Sequence, residues 1–244
     1  MMEVGEELFG PYEWERFDML VLPPSFPFGG MENPLLTFLT PALITGDKSM
    51  AGLVGHELAH AWTGNLVTNA NWSDFWLNEG WTTHAEWRIY EALHGRDATA
   101  LESVLRMREM ARDFENFARS GRPQYTALAC YVPGSVDPDD LFSRVPYCKG
   151  ALFLIALEQA VGRERFDAFI RRYIAHFRFQ SITTIQFLDF VASELPGTLD
   201  TVQAWRWVYG PGLPDNTPQV ASPLIAQVEE QAKMDAVPPQ QVGT

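Results

Sequence analysis

Two short apolar runs stand in a Pro- and Gly-rich stretch, residues 10–45: Asp18-Met-Leu-Val-Leu22 and Leu35-Leu-Thr-Phe-Leu39. They predict two short strands. Each run is too brief for a helix, and the Pro23-Pro-Ser-Phe-Pro-Phe-Gly-Gly30 between them is turn-forming. From residue 48 the pattern turns helical. Asp47 or Ser49 can cap a helix that runs through Ala61 and stops at Gly64. A second helix is predicted from Leu77 to Leu93, with Gly95 as its terminator. Further helical segments cover about 98–118, 149–161, 163–176, 183–194 and 200–208, and a loop with four prolines fills 121–147. Past Tyr209 the chain becomes rich in Pro, Gln, Asn and Ala, and only Ala226 to Met234 has the makings of a turn or two of helix. Residues 215–244 therefore read as linker or disordered tail. The fold class is α+β, mostly helical.

Composition narrows the function. The 244 residues are 46% apolar and 13% aromatic, which excludes disorder of the whole chain. The longest apolar run, Ala151 to Leu157, is far short of the roughly 18 residues a membrane span needs. The first residues, Met1-Met-Glu-Val-Gly-Glu-Glu7, have acids where a signal peptide has bases, so the expected compartment is cytoplasmic. A net charge of −13 argues against a nucleic-acid partner and favours cationic ligands, such as a free amino group. Two cysteines, Cys130 and Cys148, form no CxxC pair and are too few for a thiolate metal site.

The chemistry concentrates in four places. His56-Glu57-Leu58-Ala59-His60 puts two imidazoles one helical turn apart on one face, so both can reach one ion. Glu57 stands beside them, within reach of a metal-bound water. Glu79 opens the next predicted helix, with eighteen residues between it and His60, and a turn between the helices can fold it back to complete a His, His, Glu set. Three protein ligands with an open position is the pattern of a catalytic zinc, and nitrogen and oxygen donors also suit other transition metals. A lone Glu at a helix start also has a bland reading, as a favourable charge on the helix dipole. Glu86, seven residues after Glu79 on the same face, can accept from the second ring nitrogen of a ligand histidine, or can be a solvated carboxylate. His84 lies about 140° around the helix from Glu79 and faces elsewhere. His94 and His176 read as ordinary surface or core histidines. Gly29-Gly-Met-Glu-Asn33 lets backbone approach a ligand closely. By sequence physics alone it reads as an acidic β-turn.

Taken together, the motifs resemble the gluzincin zinc aminopeptidases, and within them the leukotriene hydrolase/aminopeptidase branch. The likeness is carried by Pro23–Pro34, His56–His60, Trp62-Thr-Gly-Asn-Leu-Val67 and Phe75-Trp-Leu-Asn-Glu-Gly80. Val145-Pro-Tyr-Cys-Lys-Gly150, Ser181–Thr184 and Tyr209-Gly-Pro-Gly-Leu-Pro214 extend it to about residue 214. The resemblance implies a thermolysin-like catalytic domain over 1–214, with a small mixed sheet beside a helical lobe. It implies one zinc ion held by His56, His60 and Glu79, Glu57 as general base, and Tyr147 as catalytic tyrosine. It further implies that Gly29, Gly30, Met31 and Glu32 form the exopeptidase element, with Glu32 on the free α-amino group of a peptide substrate. Asp139 matches an acidic residue of the same pocket. Phe142 stands where the leukotriene-converting enzyme carries tyrosine, which argues against lipid-epoxide chemistry. The resemblance further implies flanking β-rich and helical domains, which are expected to lie outside residues 1–214. The expected activity is hydrolysis of the N-terminal peptide bond. A thermolysin-type endopeptidase and an inactive zinc-binding fragment are the alternatives.

Overall fold

The structure, a computed structural model, describes residues 1–235. Its first element is a helix the hydrophobic pattern does not announce, α1 (Met2–Phe9). Eight acid-rich residues do not hold a helix in water. Here tertiary packing supplies the stability. Phe9 packs on the Trp62 indole at 5.8 Å between ring centroids, and Trp62 Nε1–H donates to the Gly10 carbonyl at 2.9 Å.

The predicted strands form as β1 (Asp18–Val21) and β3 (Leu36–Leu39), with a third, β2 (Gly30–Met31), built from the Gly-rich turn between them. The sheet is mixed, in the order β1-β3-β2. Asp18 pairs with Leu36 in parallel, and Gly30 pairs with Leu39 antiparallel. The edge strand β2 is thereby laid against the next helix, α2 (Ala51–Ala59). That helix is shorter than the sequence predicts. Asp47 does not cap it: its Oδ1 accepts from Ser49 N at 2.9 Å and from the Thr45 hydroxyl, closing a turn upstream.

A second small sheet joins β4 (Val67–Asn69) to β5 (Gln180–Ile182) in parallel. Between these strands run α3 (Trp76–His94), α4 (Arg96–Arg119), α5 (Gly150–Val161) and α6 (Arg163–Phe177). Helix α3 is the axis of the molecule. Every residue from Trp76 to Ile89 is buried, polar ones included. A helix covered on all sides has no solvent face, so no amphipathic stripe marks it in the sequence. On one side Trp81 stacks on Tyr173 of α6 at 4.8 Å, and on another Trp76 packs edge-on to Phe187 at 5.4 Å.

The last described elements are α7 (Thr184–Glu194), α8 (Thr198–Thr201), α9 (Ala204–Val208) and α10 (Pro223–Asp235). The single helix expected over 200–208 is broken at Gln203, which takes a left-handed φ of 54°. The break lets Val202, Ala204, Trp207 and Val208 all turn inward. The helix within the expected linker is longer than the Ala226–Met234 stretch and rests on α4, where Arg108 pairs with Glu229. The rest of that expected tail, 236–244, lies outside the described residues.

Candidate active site

Helix α2 delivers His56 and Glu57 from its last turn and His60 at its C-cap, all with less than 8% of their surface exposed. The two imidazoles stand edge to face, 4.9 Å apart. Each has its Nδ1 engaged: His56 against Glu86 Oε2 at 3.0 Å, and His60 against the Thr63 carbonyl at 2.9 Å. Since both partners are acceptors, both rings carry their proton on Nδ1. Their Nε2 lone pairs then face Glu79 Oε2, at 3.3 Å from His56 and 3.5 Å from His60.

The crossing of α3 and α5 places Glu79 there. Gly80 and Gly150 meet backbone to backbone, and a Cβ on either would come within 2.7 Å of the other's Cα. This contact also brings in Tyr147, from the turn that leads into α5. Its ring stacks over His56 at 5.9 Å, with Phe75 and Phe142 edge-on to it and the Arg144 guanidinium at 5.8 Å. On the opposite side β2 closes in. A Cβ on Gly30 would fall 2.2 Å from Glu57 Oε1, so only glycine lets the strand lie on that carboxylate. Glu32 follows, its carboxylate 3.9 Å from His60 Nδ1 and its carbonyl held by Asn65 Nδ2 at 2.7 Å.

The residues fit a divalent cation. Two lone pairs and a carboxylate oxygen facing one another repel unless positive charge stands among them. Tetrahedral bonds of about 2.0–2.1 Å space ligand atoms about 3.3–3.4 Å apart, close to the separations found here. Glu79 Oε2 is buried without a hydrogen-bond partner, as is Glu57 Oε2. The titration behaviour carries the same demand. Burial pulls His56 down, yet the Glu79 and Glu86 carboxylates outweigh it and lift the ring to about 10. Burial raises Glu79, but the two imidazoles bring it down to about 2. A second group, Glu32, Glu57 and His60, also has ligand atoms within 4.8 Å of one another. We favour the first set, because the His60 nitrogen nearest Glu32 is already committed to Thr63.

Glu57 differs from its neighbours: burial pushes it up to about 6, against the opposing pull of the two histidines. The Tyr147 phenol is held well above its usual range, by burial first and then by the Glu79 carboxylate. Gly30, Met31, Glu32, Glu79, Tyr147 and the exposed Asp139 all line one cleft of about 650 Å³. Gly29 is not in its wall; its carbonyl accepts from Thr40 N at 2.8 Å and braces the strand. His84, His94 and His176 join no metal-competent cluster among the described residues. Sequence reasoning missed the support behind the site. Arg106 of α4 reaches the second Glu86 oxygen at 2.8 Å, and the Thr82 and Thr63 hydroxyls meet at 2.7 Å beside His60. The available signal was the need of a buried carboxylate for a cation, but no spacing points to Arg106.

A model of the peptidase family M1 domain matches residues 1–207. The chain belongs to peptidase family M1. It is 42% identical over 229 residues to a leucine aminopeptidase 2-1 of Meyerozyma guilliermondii, covering 93% of this chain and 37% of that one. Native leukotriene A4 hydrolase from Saccharomyces cerevisiae superposes with a TM-score of 0.89 at 39% identity, over 96% of this chain and 37% of its own. An M1 zinc metallopeptidase variant from Deinococcus radiodurans, solved with a Tyr-Ser-Ala substrate, gives 0.68 at 27% identity, over 90% and 45%. This M1 chain thus spans little more than a third of the curated relatives it matches. No helix among its described residues is long and apolar enough to cross a membrane.

Proposed function

We propose that residues 1–214 are the catalytic unit of a zinc aminopeptidase that removes the first residue of peptides with a free α-amino group. The observation that carries this reading is the convergence of His56 Nε2, His60 Nε2 and Glu79 Oε2 beside an unpartnered Glu57 carboxylate. Those three residues would hold the zinc. When bound, zinc polarises a carbonyl oxygen and lowers the pKa of water. Glu57 takes the proton of the attacking water and returns it to the leaving amine. Its pKa near 6 suits both halves of that task. The Tyr147 hydroxyl, kept protonated by its buried setting, donates to the oxyanion that develops on the scissile carbonyl. Glu32 binds the substrate ammonium and sets the register at one residue, with Gly30 and Met31 as the edge beside the substrate backbone. Glu86 fixes the His56 tautomer, and Asp139 adds negative charge at the rim. A cytoplasmic setting accords with two free thiols, Cys130 and Cys148. The aminopeptidase and zinc metallopeptidase relatives support the same reading.

The test is Glu57→Gln in the full chain, with zinc content measured alongside. The expected outcome is retained zinc and a turnover about 10²–10⁴-fold lower on aminoacyl amides. Unchanged turnover would remove Glu57 from the reaction.

A further inference from the structure

One buried charge has no part in that chemistry. Lys149, two residues past Tyr147, is fully buried and meets no carboxylate in any ion pair among the described residues. Its Nζ donates instead to two main-chain carbonyls, Thr126 at 2.8 Å and Gly210 at 2.7 Å. A buried ammonium without a counter-ion is costly, so its place needs a reason. The two carbonyls belong to segments far apart in sequence. Thr126 lies buried behind the cleft wall, between Tyr125 and Ala127, both of which line the cleft together with Leu128. Gly210 ends the segment after α9. The same two segments are stitched twice more. Ala129 N donates to the Val208 carbonyl at 2.9 Å, and Gly212 N donates to the Thr126 hydroxyl at 2.8 Å.

We propose that Lys149 is a positioning residue: its side chain clamps the cleft wall at 125–128 and the 208–212 segment to the turn that carries Tyr147, and so sets the room for the substrate's first side chain. The inference deepens the aminopeptidase reading and rests on it for its kinetic consequence. Tyr147 itself is held separately, by the Gly80–Gly150 contact and by its stacking on His56. Loss of the clamp therefore loosens the wall more than the catalytic hydroxyl.

The experiment compares the full chain, zinc-loaded, with Lys149→Met, which keeps an unbranched apolar stem and removes the donors, and with Thr126→Val, which removes the hydroxyl stitch to Gly212 together with that hydroxyl's bond to the Pro123 carbonyl and leaves the Lys149 bonds in place. Two readouts are taken. Amide hydrogen exchange at Ala129 and Gly212 needs no activity; both amides should exchange at least about tenfold faster in Lys149→Met. The second readout is KM and kcat on leucyl and alanyl amides. In Lys149→Met the leucyl KM should rise about tenfold while the alanyl KM and both kcat values stay within about threefold, because uniform binding at the wall is what is lost. Thr126→Val should move the leucyl KM in the same direction by a smaller factor. A general loss of structure would lower both substrates alike. Unchanged exchange at Ala129 and Gly212 overturns the clamp, and so does an equal change for both amides in both variants. If the parent chain cleaves neither amide, the aminopeptidase reading fails, and the exchange rates alone still decide on Lys149.

Discussion

Glu86 divides its two oxygens between a ring nitrogen and a guanidinium, and so ties α4 to the imidazole that faces the metal position. Glu86 and His56 are buried and Arg106 is partly so, and the two contacts hold the carboxylate in a fixed orientation. Supporting shells of this kind typically govern metal affinity by about 10–100-fold. Glu86→Gln should therefore raise the zinc dissociation constant by about tenfold or more, measured by competition with a chelator, with little change in fold by circular dichroism. An unchanged constant would show that His56 needs no such brace. Lys149 offers a second test at this scale. Burial pulls its ammonium down to about 7, against an ordinary value of 10.5. Between those values the unfolded chain holds the extra proton, so this group adds stability as pH rises from 7 toward 10. Neutral amine keeps two N–H donors, enough for both carbonyls. The parent chain should gain melting temperature relative to Lys149→Met across that window. Parallel melting curves would deny the shift.

Among the elements, the α3–α5 crossing does most to assemble the site. It joins Glu79 and Tyr147 through a backbone contact that tolerates no Cβ. Gly80→Ala should force the helices apart, cost about 1–3 kcal/mol as an overpacked core does, and lower kcat by separating Tyr147 from His56. Chemical denaturation and steady-state kinetics on one sample check both effects; full activity with full stability would mean the crossing gives way elsewhere. Legibility follows the same division. His56, Glu57 and His60 could be read because helical periodicity alone puts them on one turn. Glu79 could be read because it opens the next helix. The long helices were recoverable from their glycine and proline punctuation, to within a few residues. What stayed hidden depends on distant partners. α1 exists because Trp62 receives it, and β4 pairs with a strand more than a hundred residues later. Gly30 reads as a turn residue until Glu57 is seen against it. Arg106 carries no motif, and Lys149 stands within Val145–Gly150 without any spacing that shows its distant partners.

For the whole molecule, net charge and sheet exposure set the outward behaviour. The formal charge of −13 favours ligands that present an ammonium group. Association of a cationic peptide should therefore slow as salt rises, since screening shortens the field to about 8 Å at physiological ionic strength. This is checked by kcat/KM at low and high salt; no salt dependence would confine the attraction to Glu32. The central claim is that two helices surround one zinc ion with His56, His60 and Glu79, and that Glu32 selects a free amine. Elemental analysis of the full chain after dialysis, paired with hydrolysis of leucyl amide and its N-acetylated form, tests it most directly. The account predicts one zinc per chain and cleavage of the free-amine substrate alone. A chain that retains no zinc, or that cleaves both substrates equally, would contradict it.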